Sequence, residues 1–208
     1  MRKYKLFDKQ QLGKSMVEML GVLFIVGVLS VGGIAGYVRA SHQLRINKLK
    51  DDISHLVANT RTLFFTQENY KDLDSFSLIK TGIIPGHMIG PNGTLVNRSN
   101  GSVYIKPAKS ALNEHGAFIV IFNGLSAPMC ISLISDTWGS DIQTGFIGIT
   151  IKGDGDLTIE TSNLTEAQIE TRDKTFNAVD MPKINISKAH ELCNCGYSDT
   201  CAIAWKYI

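Results

Sequence analysis

Residues 11–27 read QLGKSMVEMLGVLFIVG, and they pose one physical problem: Glu18 lies inside an apolar stretch that otherwise has the composition of a bilayer-spanning helix. Upstream, Arg2, Lys3, Lys5 and Lys9 form a positive leader with one acid, Asp8; downstream, the apolar run extends from Met16 to about Tyr37. Positive charge ahead of such a run orients it with the leader in the cytoplasm. The run matches the roughly 20 residues a transmembrane helix needs and exceeds a secretory h-region, so we expect a span that is retained. A small-residue cleavage site near Ala35, within VGGIAGY, is the competing reading. Two features argue against it. Apolar residues go on recurring at helical spacing, at Ile46, Leu49, Ile53, Leu56, Val57, Leu63 and Phe64, with Lys48, Lys50, Asp51, Asp52 and Arg61 between them. That pattern predicts one long helix over 15–67, apolar all round in its first half and amphipathic in its second. The other feature is Glu18 itself, because a carboxylate in the membrane interior costs about 2.5–3.5 kcal/mol on insertion scales and marks a functional position.

Composition sets the outer bounds. The 208 residues, 44% of them hydrophobic, suffice for one globular core with an appendage. A formal net charge of +2, with no basic run interleaved with aromatics after the N-terminus, argues against nucleic acid as a primary partner. The four cysteines, Cys130, Cys193, Cys195 and Cys201, all fall in the second half. Behind an export-like N-terminus, an even number favours disulfides over buried free thiols, with three pairings open.

Gly13, then Lys14, Ser15, Met16, Val17, Glu18, Met19, Leu20 and Gly21, followed by an apolar helix with an amphipathic extension, closely resembles a type IV prepilin with its class III signal peptide. The resemblance combines a basic leader, a glycine that ends it, a glutamate five residues on and an uninterrupted apolar run. It implies that residues 1–13 are a leader cut off after Gly13 by a prepilin peptidase, and that Lys14 becomes the new N-terminus. Residues 14–37 would then be a transmembrane helix that becomes filament core. Two departures from the family pattern stand out: many members begin the mature chain with an N-methylated Phe or Met where this one has Lys14, and many carry a helix-bending proline that this segment lacks. Gly27, Gly32, Gly33 and Gly36 are candidate weak points instead, each costing about 0.5–1 kcal/mol relative to alanine inside a helix. In a bundle of such helices, the Glu18 carboxylate is expected to pair with the freed α-amine of Lys14 on a neighbouring subunit. Removing one member of a buried pair costs about 3–5 kcal/mol, so the pair would fix axial register. A contact between Lys14 and Glu18 within one helix, worth about 0.2–0.5 kcal/mol, is the local alternative.

Beyond Gln67 the chain turns to Gly, Asn, Pro and Ser, with Pro85 and Pro91 beside Gly86 and Gly90, which predicts a long loop and no helix. Strands are expected at 103–106 and 117–123, and a short helix in APMCISLISDTW, carrying Cys130. FIGITIKGDGDLTIETS alternates on both sides of a Gly/Asp turn and predicts a hairpin; a helix over 187–192 and a closing strand, CAIAWKYI, follow. This order is similar to the type IVb branch of pilins, and TGIIPGHMIG, NGSVYIKPA and FIVIFNGLSAPMCISLI resemble a PilS-type head. The implied fold class is α+β: a long N-terminal helix whose amphipathic part, 38–67, packs on an antiparallel sheet head, 68–208, stapled by disulfides. By position the resemblance implies Cys130–Cys193, leaving Cys195–Cys201 to close a local loop; other pairings stay open. A long-range bridge of this kind contributes about 2–4 kcal/mol.

No residue set points to catalysis. His190 with Cys193, Cys195 and Cys201 has no standard zinc-ligand spacing. Asp154 and Asp156 of GDGD, with Glu160, fall short of a calcium loop and suit a polar turn. Asp136 and Asp180 read as solvated surface, and the Asn-x-Ser/Thr triplets at Asn97 and Asn163 as turn composition. No cofactor or metal is expected. The resemblance implies a structural subunit of a type IV (IVb-like) pilus. Such a subunit is stored among inner-membrane lipids, passed to an assembly platform and polymerised with itself into an extracellular filament for adhesion, aggregation, motility or DNA transfer. A type II secretion pseudopilin or a minor pilin is the alternative within that class. From a different class, a single-span membrane-anchored extracytoplasmic binding protein explains the span and the cysteines but leaves Glu18 and the glycine-ended leader as coincidence.

Overall fold

The computed structural model describes residues 16–110, 113–136, 138, 145–157, 174–177 and 184–208. Two compact units divide the chain, Met1–Leu44 and Arg45–Ile208, and helix α1 (Met16–Phe64) contributes to both. The predicted helix and the observed one agree to within a few residues at the C-terminal end; residue 15 lies outside the described residues.

In the second unit α1 buries Ile46, Leu49, Asp52, Ile53, Leu56, Val57, Thr60 and Phe64, a spacing of three and four that defines one face. That face packs on a six-stranded antiparallel sheet ordered β1-β2-β3-β6-β4-β5. The strands are β1 (Leu95–Val96), β2 (Ser102–Ala108), β3 (Ala117–Leu125), β4 (Phe146–Lys152), β5 (Lys174–Asn177) and β6 (Cys201–Tyr207). Side chains alternate across it as a pleated strand requires: Phe118, Val120 and Phe122 of β3 join Ile203 and Trp205 of β6 in the core beneath α1, while Ile119, Ile121 and Ala204 lie on the other face. A run of tilted and stacked rings, Phe64–Tyr70–Phe118–Tyr207–Phe146, with centroids 4.8–5.8 Å apart, ties the end of α1 to the sheet. Burial pushes the Tyr70 hydroxyl above the ordinary phenol value and the Tyr207 hydroxyl well above it.

Two expectations fail for identifiable reasons. The segment after Gln67 does contain a helix, α2 (Ser75–Lys80). The Asp74 carboxylate accepts from the Phe76 N–H at 3.1 Å and buried Leu78 anchors it, so a cap and one apolar contact outweigh the surrounding turn composition. The hairpin over 146–162 does not form around β4. Strand β6 takes one edge of β4, from Phe146↔Tyr207 to Lys152↔Ala202, and β5 takes the other, from Gly148↔Asn177 to Ile151↔Lys174. Leu157 leaves the strand direction and bonds instead to the Asn123 side chain through both its N–H and its C=O, at 3.0 and 3.1 Å. Residues 158–162 lie outside the described residues.

Asn123 sits at an irregularity of the β3–β6 register between Phe122 and Leu125, where Gly124 adopts φ +67. Gly101 passes so close beneath that a Cβ there would collide with the Asn123 carbonyl. Buried Asn97 locks the crossing: its Nδ2 donates to the Asn123 carbonyl at 2.7 Å, and its Oδ1 accepts from the Ser99 and Gly101 N–H groups.

A charged node fastens α1 to the loop ahead of β2. Asp52, 3% exposed, receives the Arg98 guanidinium at 2.8 and 3.3 Å, and His87 Nε2 stands 3.0 Å from its Oδ1. Arg98→Ala leaves that carboxylate buried without its guanidinium. We expect a loss of about 2–3 kcal/mol, on the low side for a broken buried pair because the Arg98 side chain is 31% exposed. Thermal unfolding of the oxidised, detergent-solubilised chain measures it, and Arg98→Lys should recover only part because the two-pronged contact is gone.

Candidate functional site

The first unit presents an unusual surface. From Met16 to Val38 the large apolar side chains of α1 are exposed, Phe24 by 73% and Leu29 by 69% among them. This helix is long and apolar enough to cross a membrane, and none of its most apolar window is buried inside the protein. A core helix of a soluble domain would be covered, whereas these side chains are exposed among the described residues. Ser30 is satisfied locally, its hydroxyl donating to the Val26 carbonyl at 2.7 Å, which keeps a polar group tolerable in lipid. A Cβ built on Gly21, Gly27, Gly32, Gly33 or Gly36 would meet nothing within 4 Å, so these positions leave shallow, unoccupied surface.

Glu18 lies in the first turn of α1 and is exposed. A carboxylate in a first turn is favoured by the helix dipole. Gly13 and Lys14 lie outside the described residues, as do Glu160, Asn163 and Asp180.

In the second unit the cysteines form two bonds. Cys130 of α3 (Ala127–Ile134) bridges to Cys193 at the end of α4 (Ile186–Leu192), with Cα atoms 5.8 Å apart across 63 residues of sequence. Cys195 bridges to Cys201, with Cα atoms 4.8 Å apart across 6. All four sulfurs are therefore committed to one another, and among the described residues no three His, Cys, Asp or Glu side chains are grouped to hold a metal ion. Trp138 packs on Trp205 at 5.1 Å and donates its indole N–H to the Leu133 carbonyl, seating α3 on the central strand.

The GDGD motif serves the smaller disulfide loop. Asp154 accepts from the Ser198 N–H at 3.0 Å and from its hydroxyl at 2.7 Å, and the Gly155 N–H donates to the Thr200 carbonyl at 2.8 Å. Gly196 is required opposite, since a Cβ would collide with the Asp154 carboxyl. The Ser198 hydroxyl and amide hold Asp154 below the usual carboxylate range. Two further residues differ from their sequence reading: Asp136 is paired with Lys50 Nζ at 2.7 Å and is more than solvated surface, and Asn97 is buried in the strand crossing and is more than turn composition. The Asp52 node went unread although Asp52 falls on the apolar stripe of α1, a signal the periodicity carried.

Comparison with known proteins adds the following. A family model described as PilS N terminal matches residues 43–199. The chain is similar to the major structural subunit of bundle-forming pilus of Escherichia coli O127:H6 (strain E2348/69 / EPEC), 27% identical over 154 residues that cover 72% of this chain and 76% of that one. Its counterpart in Escherichia coli O111:H- is 26% identical over the same span. Among solved structures, a type IV b pilin from Salmonella typhi gives a TM-score of 0.45 at 16% identity, covering 76% of this chain and 98% of that one. TcpA, a type IV pilin from Vibrio cholerae El Tor biotype, gives 0.47 at 14%, covering 79% and 99%.

The lowered Asp154 carboxyl sets a pH dependence. Its tie to Ser198 is fully present above the unfolded-chain carboxylate range and is lost as pH falls through the lower folded value. The Ser198 amide proton should therefore titrate in NMR spectra with a midpoint below that of an ordinary aspartate, and lose this response in Asp154→Asn.

Proposed function

The chain belongs to the PilS family, and from that premise we propose that it is a structural subunit of a type IVb-like pilus, working by assembly and not by catalysis. The observation that carries this reading is the exposed apolar surface of α1 between Met16 and Val38, in a chain that matches the family over residues 43–199. The relatives named as major subunits of a bundle-forming pilus support polymerisation with itself, and so an extracellular filament as the final location.

The division of labour we assign is a leader over 1–13, a span and filament-core helix over 14–37, an amphipathic helix over 38–67 and a head over 68–208. In the membrane, lipid tails cover the apolar half of α1; in the filament, the same half of other copies replaces them. Because lipid is as apolar as the helix itself, that exchange gains little from burial, and close packing and polar pairs must select the assembled state. Glu18 supplies such a pair. Trimming by a prepilin peptidase after Gly13 frees the α-amine of Lys14, whose charge then neutralises the Glu18 carboxylate of an adjacent copy at the assembly platform. A secretion pseudopilin shares these steps, and the major-subunit relatives favour the pilus.

Intact-mass measurement of filaments sheared from cells should give a chain that begins at Lys14; filaments built from chains still carrying Met1 would overturn the processing step. Glu18→Ala should leave a chain that is inserted and trimmed normally while surface filaments fall by at least about tenfold, as loss of one partner of a buried pair implies. Wild-type filament yield from that variant would refute the pairing.

A further inference from the structure

We propose that Asn92 is a site of spontaneous deamidation: the backbone nitrogen of Gly93 closes on its side-chain amide, expels ammonia and leaves an aspartate or isoaspartate in the turn ahead of β1. The sequence holds three Asn-Gly pairs, Asn92–Gly93, Asn100–Gly101 and Asn123–Gly124. Such a pair is ordinary turn composition; it is also the dipeptide most open to this reaction, because glycine places no side chain beside the attacking nitrogen. Asn92 is singled out because the fold disarms the other two.

The reaction needs an asparagine amide free to turn toward the next nitrogen, and a glycine whose N–H can give up its proton to solvent. Asn123 lacks the first. It is fully buried, its Nδ2 donates to Ser102 Oγ at 2.9 Å and to the Leu157 carbonyl at 3.1 Å, and its Oδ1 accepts from the Leu157 N–H at 3.0 Å. Turning that amide breaks all three bonds where no water can replace them. Asn100 lacks the second. Its side chain is exposed, but Gly101 is buried and donates its N–H to Oδ1 of buried Asn97 at 3.1 Å. Backbone shape does not separate these pairs, since Asn92 and Asn100 are both left-handed at φ 58 and 60. Surroundings do. Asn92 is exposed and its side chain makes no hydrogen bond among the described residues. Gly93 is half-buried, and a Cβ built on it would meet only the Phe76 ring, at 3.5 Å.

In the first step Gly93 N bonds to Asn92 Cγ as the Cγ–Nδ2 bond breaks; the glycine amide proton passes through water to the departing nitrogen, which leaves as ammonia. Water then opens the cyclic imide, at one carbonyl to aspartate and at the other to isoaspartate. Nothing is oxidised or reduced, and water is the sole co-reactant. Both products put a negative charge in a turn that is closed by the Gly90 N–H on the Thr94 carbonyl at 2.8 Å and the Thr94 N–H on the Pro91 carbonyl at 3.2 Å. Isoaspartate also lengthens the main chain there, next to the edge strand of the sheet. Because no enzyme is required, conversion accumulates with the age of the molecule.

The test incubates the full, oxidised, detergent-solubilised chain in mildly alkaline buffer and follows each Asn-Gly peptide by mass spectrometry, with enzymatic methylation of isoaspartate as a second readout. The Asn92 peptide should convert at least about tenfold faster than those of Asn100 and Asn123, which react only through local opening. Its rate should rise with pH, because the attacking nitrogen must lose its proton, and Asn92→Gln should remove the signal from that peptide. In urea, with the disulfides intact, the three rates should converge. Conversion of Asn100 or Asn123 as fast as Asn92 in the folded chain would overturn the proposal, as would an Asn92 amide that survives folded while reacting in urea. Rates that stay as far apart in urea as in the folded chain would overturn it too, by assigning the difference to sequence neighbours and not to the fold.

Discussion

A helix surface that none of the described residues buries is the constraint on which this molecule is built. Along α1 the two halves face opposite solvation problems: the first exposes its apolar residues all round, and the second buries a single face against the sheet. In the pilus reading proposed above, lipid or other helices cover the first half. The head, in that reading, must stay folded while the helix changes surroundings. That explains why the second unit is fastened at so many independent points, with a charged node at Asp52, rings at the end of α1, and two covalent links near the C-terminus.

These fastenings are distributed and not redundant. The Asp52 node and the ring series hold α1 at two places along its length, the Cys130–Cys193 bond joins α3 to α4, and the Asp154–Ser198 bonds position the small disulfide loop against the turn after β4. Each acts between elements far apart in sequence, so each restricts a different part of the unfolded chain. Surface ion pairs such as Lys188–Glu191 and Lys109–Glu114 add little by comparison, being exposed and screened.

Much of this was legible before any coordinates, and the pattern of failure is instructive. Helical periodicity located α1 because the buried face repeats over many turns, whereas short runs bounded by turn residues located β2 and β3, and strand composition located the closing strand. The cysteine pairing came from family resemblance, since four cysteines leave three choices open. Non-local competition explains the misread hairpin: β4 alternates well enough to pair with the next segment, but β5 and β6 occupy both of its edges. The Asp154–Ser198 contact spans 44 residues and has no local signature at all. Helix α2 was missed because six residues are too short for periodicity to register. For the candidate site, Glu18 was visible as a lone charge in an apolar run, whereas the partner of Asp52 lies 46 residues away in sequence and meets it only in the fold.

Strand β6 follows the other described strands in sequence yet lies in the middle of the sheet, between β3 and β4. Without it β1, β2 and β3 pair among themselves and β4 pairs with β5, but the two halves of the sheet share no ladder. A head without β6 leaves Phe122 and Ile149 without their ladder partners Ile203 and Trp205 and leaves Cys195 without Cys201, so one strand carries both the junction of the sheet and the smaller covalent loop.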